Sequence, residues 1–374
     1  MTEINIISFD VPFPANYGGI IDVFYRIKYF YNKGIKVHLH CFEYGRGQHP
    51  ELNKYCETVS YYQRKVGILS HLSFLPYIVN SRASKKLKNN LLKNDFPILF
   101  EGLHSCFLLD DKAFKMRLKI VRNHNIEHNY YNALAKIETN WIKKKYFKTE
   151  AIKLENFEST LENADICLAI SETDCAYFKK KYTNTRVLFI PGFHANEKVN
   201  SKTGKGDYVL YHGNLSVIEN SNAAKFIIEQ LFKDLKIPLK IAGLNPSKEL
   251  IKLIKDNPNI ALIQNPTDEE MNELVLNAQI NLLYTEQPTG LKLKLLNVLY
   301  TGRHCIVNPK MVEGTSLGKL CLIEQNSTGL KQIIRSTFDL EMSQEEIEAR
   351  AFLFTNEYAN ETSFQKIIEA VQPS

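Results

Sequence analysis

Two lysines, Lys292 and Lys294, stand close together at the front of TGLKLKLLNVLYTGRHCIVN (289–308), a segment that reads as a helix followed by a strand. A helix dipole is positive at its N-terminus, so cations there cost stability unless an anion joins them. Thr289 has the side chain of an N-cap. Gly290 lets another group approach the backbone closely. Free first-turn amides, the dipole and two ammonium groups together make a phosphate-binding site. At about 100° per residue, Gly290, Lys294, Asn297 and Thr301 share one stripe. Leu291, Leu293, Leu295, Leu296, Val298, Leu299 and Tyr300 cover the rest. The pattern predicts a helix buried nearly all round, with one polar stripe. The competing reading is a lysine snorkelling from a packed helix.

Two histidines follow strand-like runs. His104 lies in FEGLHS, after 97–102, and His124 lies in VRNHNIEHNYY, at the end of 117–124. Imidazole can donate, accept or carry charge near neutrality, although a loop histidine is often only a satisfied structural residue. Arg122 and Glu127 flank His124 in sequence and supply further polar groups.

The elements that must position these residues alternate along the chain. Strand-like runs at 4–9, 35–42, 97–102, 117–124, 164–171 and 185–191 are separated by helical patterns, including 20–34 and a long one at 141–163. The stretch 192–207 is polar, glycine-containing and without apolar period, and reads as a linker. Alternation then restarts, with strands at 208–214, 238–243, 259–264, 279–284, 304–308 and 319–325 and a helical tail from about 326. Such alternation indicates α/β architecture with parallel sheets covered on both faces. The expected domains are 1–195, a linker at 196–206, and 207–374, with the last helices crossing back to the first domain. Ligands in doubly wound sheets bind beyond the carboxyl ends of the strands, and two such domains place the expected site in a cleft between them.

The chain has 374 residues with a net charge of +6. The charge is uneven: residues 1–200 carry 29 basic and 20 acidic side chains, a net of +9, and the remainder 18 and 21, a net of −3. The basic excess includes SRASKKLKNNLLK (81–93) and the lysine triplets at 143–145 and 179–181. Basic clusters attract anionic lipid or nucleic acid, although many are merely solvated surface. No nucleic-acid recognition module is recognisable. Seven scattered cysteines without a C-x-x-C pair argue against a zinc site or disulfide framework and fit a reducing cytoplasm. The N-terminus does not read as a signal peptide, and no apolar run is long enough to span a bilayer.

Three motifs in order, FDVPFPANYGGIIDVFYRIKYFYNKGIKVHLHCF, YHGNLSVIENSNAAKFI and GLKLKLLNVLYTGRHCIVN, resemble those of GT-B-fold glycosyltransferases of the family 4 group, which are retaining and nucleotide-sugar-dependent. The likeness covers essentially the whole chain. It implies two Rossmann-like domains facing across a cleft, the first binding the acceptor and the second the nucleotide-sugar. It implies donor contacts at Gly18, Gly19, Gly213, Asn214, Thr289, Gly290, Leu291 and Asn297. It implies acceptor or sugar contacts at Tyr17, His104, Arg122 and Glu127. His124, Lys292 and Lys294 would serve the chemistry, with no cofactor and no metal. Two departures stand out. Many relatives carry a pair of glutamates where this chain has Thr289 and Asn297. Many also place an arginine and a lysine after the first strand of the second domain, where GNLSVIEN offers no cation. Lys292 and Lys294 would supply the missing positive charge to a diphosphate. The same resemblance, with the apolar and basic run 66–93 that includes Arg82, Lys85, Lys86, Lys88 and Lys93, suggests an anionic inner membrane face and a glycan or lipid-linked acceptor. A nucleotide-sugar epimerase of this fold, or a degenerate partner subunit, is the alternative.

Overall fold

The computed structural model describes residues 1–67, 70–71, 73–286 and 293–372. The chain forms two compact units. The first holds Met1–Ala195 and the chain's end from Glu357 onward; the second begins at Asn196 and ends at Asn356.

The first unit is built on seven parallel strands: β1 (Glu3–Ser8), β2 (Lys36–Glu43), β3 (Thr58–Gln63), β4 (Ile98–Glu101), β5 (Lys119–Asn123), β6 (Ile166–Ala169) and β7 (Arg186–Phe189). Their order is β3-β2-β1-β4-β5-β6-β7. Side chains alternate across the sheet: Ile4 and Ile6 join Val23, Ile27 and Phe30 on one face, and Ile7 joins Phe100 and Val121 on the other. Burial of both faces explains why the central strands are almost continuously apolar. Helix Gly18–Asn32 closes at Gly34, whose φ of 77° is the left-handed conformation that glycine tolerates. The last helix, Asn360–Val371, packs Phe364, Ile367 and Ala370 into the same layer as Phe30. Strand β3 is absent from the alternation read in the sequence. It lies at the sheet edge, where TVSYYQ stays largely half-buried and so lacks an apolar run.

The second unit has six parallel strands: β8 (Val209–His212), β9 (Leu239–Gly243), β10 (Ile260–Gln264), β11 (Ile280–Leu283), β12 (His304–Val307) and β13 (Leu322–Ile323), in the order β10-β9-β8-β11-β12-β13. The strand expected at 319–325 shrinks to two residues because Ser316–Leu320 forms a tight helical turn. The segment read as a linker is tied down in its second half. Ser201 donates to the Gly302 carbonyl, Gly204 bridges Met342, and the Gly206 amide donates to Gln279. A Cβ at Gly206 would lie 2.5 Å from the Asn277 carbonyl oxygen, so glycine is required there by close approach.

Candidate functional site

In the first unit the strand order reverses direction between β1 and β4, and loops leaving their carboxyl ends diverge there. Phe9 leaves β1, Gly102 leaves β4 and His124 leaves β5. The two sequence-predicted histidines meet around Phe9, with ring centroids 5.3 Å away for His104 and 5.6 Å for His124. Two glycines make this possible. A Cβ at Gly19 would sit 2.9 Å from the Phe9 ring, and Gly102 has a φ of 66° with a Cβ position 3.0 Å from His104 Nδ1. Gly18 is different: a Cβ there would meet nothing within 4 Å. Gly18 and Gly19 open helix Gly18–Asn32, whose first turn has neither a side-chain cap nor an acidic residue. Its amide end is therefore available to a negative group.

Beneath this loop cluster lies a charged network that sequence reading missed. Asp22 accepts from Arg26 at 3.0 Å, from Arg122 Nε at 3.0 Å and from the Phe193 amide at 2.7 Å. Glu101 accepts from Arg26 and faces His124 Nε2 at 3.2 Å. Burial raises the energy of the Asp22 carboxylate, but the Arg122 and Arg26 guanidiniums outweigh it and hold its pKa well below the usual range. Arg122, expected at a sugar, is instead fully buried, with its remaining donors on the Ile190 and Pro191 carbonyls. The signal for the network was the i, i+4 spacing of Asp22 and Arg26 on an otherwise apolar helix.

Asp22, Glu101 and His124 bring potential metal-ligand atoms within 4.8 Å of one another. The donor set fits a metal poorly. Two carboxylates already balance two guanidiniums, so a dication would leave an uncompensated buried charge of two.

His104 and Glu127 also come together, with Nδ1 3.8 Å from Oε1. Desolvation pushes the Glu127 carboxyl up to about 8 and the His104 imidazole well down, the latter assisted by Arg82 and His124. At neutral pH they form a neutral pair rather than an ion pair. A carboxyl kept protonated can donate a hydrogen bond, and such perturbed groups cluster at functional sites. Its contribution to stability is full below the unfolded value of 4.5 and is lost as pH rises through about 8. Glu127→Gln is therefore expected to match the parent near pH 4.5 and to exceed it at pH 9, by up to about 5 kcal/mol. Denaturant midpoints across that range check this; a constant difference would remove the protonated carboxyl.

Tyr17, 41% exposed, donates to Asp10 at 2.9 Å and lies under the Arg46 guanidinium. Its loop is held from inside by Arg82, which donates to the Phe9 carbonyl at 2.8 Å. Arg82 is thus a buried clamp, not part of a basic surface. Lys88 pairs with Asp111, and Ile78 is core. The basic face expected over 66–93 is correspondingly smaller, and Ile68, Leu69 and Leu72 lie outside the described residues.

In the second unit the order reverses between β8 and β11. Gly213 and Asn214 follow β8. A Cβ at Gly243 would overlap the Gly213 carbonyl oxygen at 1.9 Å, so the two turns touch through backbone. Asn214 Oδ1 accepts from the Ser216 amide and hydroxyl, which shapes the turn. Glu219 accepts from the Thr285 hydroxyl; the Thr285 amide donates to Asn308 Oδ1 at 3.2 Å, and Asn308 Nδ2 donates to the Thr285 carbonyl at 2.7 Å. Thr289, Gly290, Leu291 and Lys292 lie outside the described residues. From Leu293 to Thr301 the helix is as the phase predicts: Lys294, Asn297 and Thr301 are half-buried, while Leu295, Leu296, Val298, Leu299 and Tyr300 are buried. Lys294 Nζ lies 5.9 Å from the Tyr211 ring centroid. Asn297 Oδ1 accepts from Asn196 at 3.4 Å. His212, at the end of β8, is buried with no hydrogen bond to Nε2 among the described residues. Desolvation, then the charge of Lys294, pulls its pKa down to about 3, so it is neutral in the physiological range.

A cavity of about 300 Å³ lined by His304, Cys305, Cys321 and Arg350 lies near the amino end of β12, away from these loops. Its guanidinium is spent on the Gly302 and Arg303 carbonyls. All seven cysteines are free.

The fold is that of the GT-B glycosyltransferases. Anabaena HepE, solved with UDP and glucose, is similar with a TM-score of 0.67 and 11% identity over 99% of both chains. Sucrose-phosphate synthase from Thermosynechococcus elongatus gives 0.68 and 12% over 99% of this chain and 98% of that one. S. aureus TarM gives 0.66 and 12% over 100% of both. No family model matches the chain. In sequence it is 27% identical, over 403 residues, to an uncharacterized 44.6 kDa protein in the cps region of Klebsiella pneumoniae, covering 99% of this chain and 100% of that protein.

Proposed function

We propose that this protein is a glycosyltransferase that moves a hexosyl or related sugar from a nucleotide-diphosphate-sugar to a glycan or lipid-linked acceptor in surface polysaccharide assembly. The observation that carries the reading is the whole-chain GT-B likeness to HepE, which was also solved with UDP-glucose. The cps-region relative supports the polysaccharide context. The first unit supplies the acceptor and sugar groups, among them His124, His104, Glu127 and Tyr17. The second supplies the donor site, with Gly213, Asn214, Asn297 and Lys294, and with Lys292 assigned to it on sequence alone.

In this reaction the bond from the sugar's anomeric carbon to the diphosphate breaks, and a bond to the acceptor oxygen forms. The acceptor's hydroxyl proton passes to the departing diphosphate oxygen, on which negative charge develops as its bond to the sugar breaks. Lys292, Lys294 and the helix amides stabilise that charge where it appears. Cations already fill this role, so the reading needs no metal. Retention of anomeric configuration, as in family 4, belongs to the same reading. The alternatives are a nucleotide-sugar epimerase and a degenerate partner subunit, the latter favoured by Thr289 and Asn297 in place of glutamates.

A thermal-shift series against nucleotides and nucleotide-sugars tests the donor site. A ligand at a hundredfold its Kd stabilises by about 2.7 kcal/mol, and no shift with any nucleotide would overturn it. Turnover without acceptor would identify the epimerase. Lys294→Ala and Lys292→Ala are each expected to weaken nucleoside-diphosphate binding by about 2 kcal/mol and to spare nucleoside binding. Calorimetry showing equal losses for both ligands would reject the phosphate assignment.

A further inference from the structure

Helices Glu127–Ile137 and Trp141–Glu158 form a hairpin through a three-residue turn. Asn140 sets the turn, its side chain capping the Ile142 and Lys143 amides. The tip carries three large apolar side chains in solvent: Ile137 is 65% exposed, Trp141 72% and Ile142 61%. On an inner face the second helix is anchored. Tyr131 meets Phe147, Ala151 and Leu154 are buried, and Glu150 accepts from the Tyr77 amide. Its outer stripe, at helical spacing, reads Trp141, Lys145, Lys148 and Ile152, all exposed. Lys143 and Lys144 flank the stripe, and no acidic residue occurs from 139 to 149. Among the described residues none of these four lysines has a carboxylate partner. Phe74, fully exposed, stands on a segment that rests on the same helix through Tyr77.

Neither packing nor helix stability calls for this arrangement. Clustered exposed apolar groups lose free energy in water, and lysines near a helix N-terminus oppose the dipole. We propose that the hairpin tip and the outer stripe of helix Trp141–Glu158 dock on an anionic lipid surface. Trp141, Ile137 and Ile142 enter the headgroup boundary, where indole is favoured. Lys143, Lys144, Lys145 and Lys148 meet the lipid phosphates with their stems along the interface. The positive excess around the apolar tip, Lys143, Lys144, Lys145 and Lys148 against the single carboxylate Glu138 in the turn, selects an anionic bilayer over a second copy of this chain, whose same face would repel it. This differs in place from the 66–93 surface suggested by sequence and does not depend on which reaction the protein catalyses.

Trp141 is the chain's single tryptophan, so intrinsic fluorescence of the full-length protein reads the contact directly. With phosphatidylglycerol-containing vesicles at low ionic strength, emission is expected to shift to shorter wavelength and to be quenched by brominated acyl chains. Salt should reverse the shift by screening the lysines. A triple Lys143→Gln, Lys144→Gln, Lys145→Gln variant should lose vesicle partitioning by about fivefold per lysine, on the order of a hundredfold in all. Trp141→Ala, followed by co-sedimentation, should also lose binding while keeping its nucleotide-induced thermal shift. No emission shift with anionic vesicles overturns the proposal. So does an equal shift with pure phosphatidylcholine, or a shift on concentrating the protein without lipid, which would identify self-association.

Discussion

Asp22→Ala is expected to cost about 3–5 kcal/mol of folding stability, the scale for removing one partner from a buried ion-pair network. The variant leaves Arg122 facing only carbonyls and shifts Arg26 onto Glu101 alone, both in surroundings with no solvent exposure. It also orphans the Phe193 amide. Asp22 has a depressed pKa, so its contribution is present above the unfolded value of 3.8 and is lost as pH falls toward the folded one. The variant should therefore lie far below the parent at pH 7 and approach it in strong acid. Urea unfolding with an unchanged slope checks this. A loss under about 1 kcal/mol at pH 7 would show that water satisfies the guanidiniums instead.

His124→Ala is expected to lower turnover on the order of 10²-fold, the effect of losing one positioned group that acts on the transition state, with nucleotide affinity unchanged. The reason is placement. His124 belongs to the first unit and sits at the strand-order reversal against Phe9 and Gly19, whereas the groups proposed for the nucleotide belong to the second. Glu101 keeps Arg26 when the imidazole is gone, so the fold should survive. Unchanged turnover would remove His124 from the reacting centre. A parallel fall in nucleotide affinity would show that the residue acts through structure.

Much of the fold was legible because both sheets bury two faces. Runs such as INIISF and ADICLAIS stay apolar whichever way a side chain points, and turn residues delimit them. β3 was not legible, since an edge strand needs no such run. The polar stripe Lys294, Asn297, Thr301 was readable for a related reason: a helix covered on most sides leaves few positions where polar groups survive. Arg122 and Arg82 illustrate the converse. Each looks like a surface cation in sequence, yet each is buried because a partner distant along the chain accepts its hydrogen bonds: Asp22 for Arg122, the Phe9 carbonyl for Arg82.

By itself, then, the sequence determined the class of architecture, the restart of the α/β pattern after about residue 207 and the polar line along the helix that follows β11. These are local properties, written in periodicity and in where glycine and charge interrupt it. Only the tertiary structure decided that His104, His124 and Gly19 converge on Phe9, that burial pushes the Glu127 carboxyl up, and that Asp22, Arg26, Glu101 and Arg122 close into one network. It also decided that Trp141 and its neighbouring lysines face solvent. The physical reason is that burial and charge compensation depend on groups 100 or more residues apart being brought together, as Asp22 is with Arg122 and the Phe193 amide, and no local pattern records which partner a side chain will meet.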